Sequence, residues 1–146
     1  MSKFLGELIV EPQPDGETWK VHEQFQYSSD VLNTIVTIPV GFITDGASIP
    51  KIFWNILQPT GPYFRAAVIH DYLYRWQKFT RRQSDDALLE GMWVLNCKRW
   101  QYCCIYIAVR CFGFFAWKKD GKIPITKKDL LVNKQLIKLR EGLPFS

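Results

Sequence analysis

Hydrophobic and polar positions change period part-way along the chain, and the change separates a strand-forming beginning from a helix-forming remainder. Residues 4–11 read as a first strand, closed by Pro12-Gln13-Pro14-Asp15-Gly16, where Asp-Gly is a strong turn signal. From 18 to 27 the alternation is strict. Trp19, Val21, Glu23, Phe25 and Tyr27 share one face, while Lys20, His22, Gln24 and Gln26 share the other, so His22 falls on the wet side. Thr34-Ile35-Val36-Thr37-Ile38, rich in β-branched side chains, makes a third strand within 32–40 that stops at Pro39. Residues 41–50 hold too many small and turn-forming residues for a regular element, yet keep apolar anchors at Phe42 and Ile49. They are expected to form a loop pinned at both ends. It either presents Thr44, Asp45, Gly46 and Ser48 as the wall of a site, or merely joins strand to helix, with Asp45 or Ser48 capping a turn.

After this loop the period becomes helical. A short helix over 51–57, with Trp54 and Ile56 inward, ends at the breaker Pro59-Thr60-Gly61-Pro62. A second begins near Pro62 or Tyr63 and runs to about Gln77; a third spans about 82–98, with Thr80 or Ser84 as its cap. These two form a helical hairpin. Residues 101–117 are apolar almost all round, but they are fewer than the ~20 a bilayer needs and include Arg110. A buried core helix is therefore expected, with Arg110 paired to Asp71 or Asp86. A lysine-rich loop then leads to a last amphipathic helix over about 127–140. The architecture implied is α+β: a small N-terminal antiparallel sheet of about three strands, then a helical bundle containing the hairpin, in one domain covering 1–146.

Composition adds two points. Ten Phe and six Trp among 146 residues exclude a disordered chain and exceed what a core of this size absorbs, so part of the aromatic surface suits a partner. The net charge of +5 is uneven: residues 1–59 carry three basic and seven acidic groups, residues 118–146 eight and three. A basic tail can meet phosphate or be only a solvated face, and no nucleic-acid motif supports the former. Cys97, Cys103, Cys104 and Cys111 contain no C-x-x-C pair, so zinc is not expected, and small buried hydrophobes are the default reading. The first residues lack a secretory apolar run, which suggests the cytosol.

Candidate chemistry sits in Ala66-Ala67-Val68-Ile69-His70-Asp71-Tyr72-Leu73-Tyr74-Arg75, where polar groups interrupt an apolar helix. His70 and Tyr74 are four apart and share a face. The hairpin returns Asp85 to within ~4–5 Å of the height of His70 at 1.5 Å per residue. Asp85 can then accept from one imidazole nitrogen and from Tyr74, leaving the other nitrogen basic, the arrangement in which a histidine takes a proton from water. The alternative is a satisfied core hydrogen bond between packed helices. Asp71 points beside this pair. With loop carbonyls from Thr44 to Ala47 it can hold a hard cation such as Ca²⁺.

Two resemblances follow. Residues 38–50, Gly61-Pro62-Tyr63, residues 66–74, Arg81, Asp85, Met92, Val109-Arg110, Gly113 and Trp117 together resemble a phage and prophage family of unknown function (domain of unknown function 1353). The resemblance implies a phage-encoded protein working in the host cytoplasm or packaged in the virion. His70-Asp71-x-x-Tyr74 is also similar to the His-Asp-x-x-Tyr helix of phospholipase A2. That likeness implies His70 as base, Asp71 as calcium ligand and Tyr74 with Asp85 as support, although no Gly-rich calcium loop precedes the helix and the cross-linking cysteines are absent. The function expected is a small hydrolase of an ester or amide bond, with a lipid or cell-envelope substrate. The alternative is a non-enzymatic virion component or an inhibitor of a host protein.

Overall fold

The computed structural model describes residues 1–45, 55, 57, 58 and 60–121. Its N-terminal part is a pair of three-stranded antiparallel sheets, each contributed by alternate pieces of the same chain. Strands β1 (Lys3–Leu5), β4 (Phe25–Ser29) and β5 (Thr34–Ile38) form one sheet in the order β1-β4-β5; β2 (Val10–Pro12), β3 (Trp19–Val21) and β6 (Ile43–Thr44) form the other in the order β2-β3-β6. The strands expected over 4–11 and 18–27 are thus each bent into two, one piece per sheet. Gly6 and Gly41, at φ 82° and 89°, take up two of the three crossings in a left-handed conformation that side chains resist. Alternation survives where a strand is continuous: Phe25, Tyr27 and Ser29 of β4 are buried, and Gln26 and Ser28 less so. His22 lies on the wet face as expected, with Nε2 2.7 Å from the Glu11 carboxylate.

Three helices follow: α1 (Phe64–Trp76), α2 (Arg81–Val94) and α3 (Arg99–Asp120). Helix α1 ends at Gln77 in a left-handed conformation. Only a few residues on, Thr80 opens α2 with a full capping box, its hydroxyl accepting from the Gln83 N–H while Gln83 accepts from the Thr80 N–H. The hairpin is therefore terminated and restarted by local chemistry. At its closest approach a Cβ on Gly91 would come within 3.0 Å of that of Ala66. The expected short helix over 51–57, with Trp54 and Ile56, and the expected helix over 127–140 lie outside the described residues or largely so.

The core is built in two clusters. Val21, Phe25, Tyr27, Val36, Ile38 and Phe42 of the sheets pack on Val68, Ile69 and Leu73 of α1; Tyr63, Ala66, Leu88, Met92 and Ile105 join the three helices, and Phe4 touches both clusters. Burial at about 1.5–3 kcal/mol for each large side chain makes these the main stabilising contacts. A carboxylate of α2 fastens that helix to the sheet. Glu90 of α2 accepts from the Tyr27 hydroxyl at 2.7 Å, the Ser29 hydroxyl at 2.7 Å and the Val31 N–H at 2.9 Å.

Helix α3 departs from the expected core helix. Among its residues only Ile105 and Gly113 are buried. One face packs on α1 and α2 while the opposite face looks outward, with no described element on its far side. The cysteines follow this division: Cys97 is buried just before α3, whereas Cys104 and Cys111 are exposed, which corrects the reading of all four as small buried hydrophobes. No described helix is long and apolar enough to cross a membrane.

Replacing Glu90 with Ala leaves two buried hydroxyls and an amide without their acceptor. Urea denaturation should show a loss of about 2–3 kcal/mol, with Glu90→Gln retaining most of the stability; a change within error for the alanine variant would show that the anchor contributes nothing.

Candidate active site

The expected cluster assembles on the hairpin. Asp85 has no solvent exposure, and each of its oxygens is claimed by donors from neighbouring helices. Oδ1 receives the His70 Nε2 at 2.7 Å and the Tyr74 hydroxyl at 2.6 Å, both from α1. Oδ2 receives Arg110 Nη1 from α3 at 2.8 Å and Arg81 Nη1, one turn earlier on α2, at 3.4 Å. Arg81 continues to the carbonyls of Val109 and Arg110, at 3.0 and 3.3–3.4 Å, so the cluster ties all three helices. The partner of Arg110 is Asp85, not the Asp71 or Asp86 expected; Asp86 instead accepts from the Tyr106 hydroxyl at 2.6 Å.

Electrostatics sets the protonation of Asp85 and Tyr74. Burial alone pushes the Asp85 carboxyl up, but His70, Tyr74 and Arg110 together outweigh it and hold Asp85 below the usual carboxylate range. Burial raises the Tyr74 phenol, and its bond to Asp85 adds to that, so Tyr74 is a donor. An ionised carboxylate accepts only, so His70 Nε2 carries a hydrogen, and in the neutral ring the lone pair is therefore on Nδ1. No described residue hydrogen-bonds to Nδ1, and the His70 side chain is 13% exposed. The ring is held against Tyr74, 4.2 Å between centroids, and Tyr74 in turn meets Trp117 edge-on at 5.1 Å. Gly113 makes this packing possible: a Cβ there would fall 2.5 Å from the Tyr74 hydroxyl.

The loop side of the cluster is organised by Arg75. Its Nη2 lies 3.5 Å from Asp71 Oδ2, its Nη1 donates to the Ile43 carbonyl at 2.6 Å, and the guanidinium covers the Phe42 ring at 5.0 Å. Thr44 is buried and its hydroxyl is hydrogen-bonded to Asp71, while Asp45 is exposed. Gly46 and Ser48 lie outside the described residues. Asp71 thus meets a cation of the chain itself. Among the described residues no three histidine, cysteine or carboxylate groups converge in a way that would hold a metal ion. Burial pushes Asp71 up to about 7, with the charge of Asp45 adding to it and Arg75 and Thr44 opposing. Asp120 at the end of α3 is also raised, by burial first.

Arg75 and Arg81 were open to sequence reasoning through their i,i+4 spacing to Asp71 and Asp85. Asp120 offers no such signal, because only the packing of α3 brings it near Arg75.

Residues 19–109 match the family described as "Protein of unknown function (DUF1353)", a span of more than half the sequence. The chain belongs to this family. The matched span contains His70, Asp71, Tyr74, Arg81 and Asp85 and stops one residue before Arg110. The DUF1353 chain is also similar to the uncharacterized protein y4jT of Sinorhizobium fredii (strain NBRC 101917 / NGR234), 35% identical over 78 residues. That alignment takes in 52% of this chain and 23% of y4jT, so the chain spans only a fraction of that relative. No solved structure matches it significantly.

The raised value of Asp71 has a defined sign. Between the ordinary 3.8 and about 7 the folded chain holds a proton that the unfolded chain has released, so this group lowers stability as pH rises through that window. Urea melts of Asp71→Asn across the window should therefore show a flatter pH dependence, with the variant gaining on the wild type toward the alkaline end. Parallel profiles for the two proteins would contradict the assignment.

Proposed function

We propose that this DUF1353 protein is a small hydrolase in which His70 activates water and Asp85 orients it, acting on an ester or amide bond. The observation that carries the reading is the 2.7 Å contact of Nε2 with an ionised, fully buried carboxylate, on a ring whose Nδ1 has no hydrogen-bond partner among the described residues. Nδ1 takes a proton from water as the oxygen attacks the carbonyl carbon. The resulting imidazolium is stabilised by Asp85 and returns the proton to the leaving alkoxide or amine. Arg81 and Arg110 draw on the same carboxylate, so Asp85 serves more to fix the orientation of His70 than to raise its basicity. Tyr74 fixes the second direction of the ring.

A phospholipid or other cell-envelope substrate is part of this reading, supported by the likeness of His70-Asp71-x-x-Tyr74 to the phospholipase A2 helix. Arg75, 3.5 Å from Asp71, supplies a positive charge at the position where the likeness would place calcium. The setting, a phage or prophage product in the host cytoplasm or virion, rests on resemblance. A second reading, a non-enzymatic module that binds a host or virion protein, is favoured by the outward aromatic face of α3.

His70→Ala should keep the fold, because Tyr74, Arg81 and Arg110 still pair Asp85. Assayed on phospholipids, soluble carboxylesters and peptidoglycan, it should lose turnover by roughly 10²–10⁴-fold. Turnover equal to wild type, or no wild-type turnover on any of these, would overturn the proposal.

A further inference from the structure

We propose that the outward face of α3 is the contact between two copies of this chain, packed antiparallel about a two-fold axis. The face is defined by Trp100, Cys104, Ile107, Cys111, Phe114 and Lys118, spaced 4-3-4-3-4, which is the repeat of a helix–helix seam. All six are exposed, Ile107 by 61%, and the seam lies opposite the face that buries Ile105 and Gly113. Phe115, 72% exposed, flanks it. The one cation between the ends, Arg110, is engaged by Asp85.

Self-complementarity selects the second copy as occupant. In an antiparallel pair, positions of one seam class face those of the other, which sets Cys111 opposite Ile107, Cys104 opposite Phe114 and Trp100 opposite Lys118. Each large side chain then meets a small one or a cation suited to its ring. Lys118 already sits over an aromatic ring, 4.5 Å from the Phe114 centroid. The four large apolar side chains of the face, with Cys104 and Cys111 between them, expose on the order of 500 Å² per copy, so two copies approach the ~1,000 Å² that a specific interface requires. The seam is separate from His70, and the proposal does not depend on the hydrolase reading.

Light scattering after size exclusion should find the full chain dimeric at micromolar concentration. Ile107→Glu sets two carboxylates near the axis and should weaken association by roughly 100-fold or more, with an unchanged circular dichroism spectrum. The register is read separately. Mild oxidation of Ile107→Cys, in which the oxidant removes two electrons and two protons for each disulfide, should yield a covalent dimer linked to Cys111 of the second copy, and adding Cys111→Ser should abolish that link. A monomeric wild type overturns the proposal. Its retention on phosphatidylglycerol vesicles would then assign the face to lipid, and dimerisation only after deletion of residues 122–146 would assign it to the same chain. A dimer that survives Ile107→Glu, or that fails to form the link to Cys111, overturns it as well.

Discussion

A carboxylate without any solvent exposure is tolerable only when donors surround it, and Asp85 sets that condition for three helices at once. Removing one partner from a buried ion pair typically costs about 3–5 kcal/mol, so His70, Tyr74, Arg81 and Arg110 are all constrained by the same charge. The constraint reaches outward. Arg81 must lie against the Val109 and Arg110 carbonyls, which brings α3 close, and the close approach requires Gly113 beside Tyr74.

Two acidic residues of helix α2 divide its work as anchors. Asp85 near its start binds the helices, and Glu90 further on binds the sheet. Asp85 thereby orients His70 on α1, while on the other side of that helix Asp71, Arg75 and Thr44 hold one another. Fixed geometry is what separates a base from a merely polar core residue. Arg75 completes the arrangement by supplying, from within the chain, the positive charge that a buried Asp71 calls for.

The hairpin pairing of His70 and Tyr74 with Asp85 was legible in the sequence, because helix rise and a short connection leave little freedom in which residues can meet. The same local logic narrowed the cap of α2 to Thr80 or Ser84 and placed His22 on the wet face of the strand. What was not legible depended on long-range packing. The strands over 4–11 and 18–27 divide between two sheets because the chain crosses at Gly6 and again after Val21, and alternation alone does not distinguish a straight strand from a bent one. Helix α3 reads as apolar all round, and nothing local reveals which side a neighbour covers. The choice of Asp85 by Arg110 followed the same rule: three carboxylates lie within sequence reach, and the packing of α3 selects one.

The central claim is that Asp85 holds His70 with its hydrogen on Nε2 and its lone pair on Nδ1. Long-range ¹H–¹⁵N correlation spectroscopy of the imidazole reads this directly in neutral His70. The account predicts a protonated Nε2 and a bare Nδ1, with the preference relaxed in Asp85→Asn. A hydrogen resident on Nδ1, or a tautomer indifferent to Asp85, would contradict it.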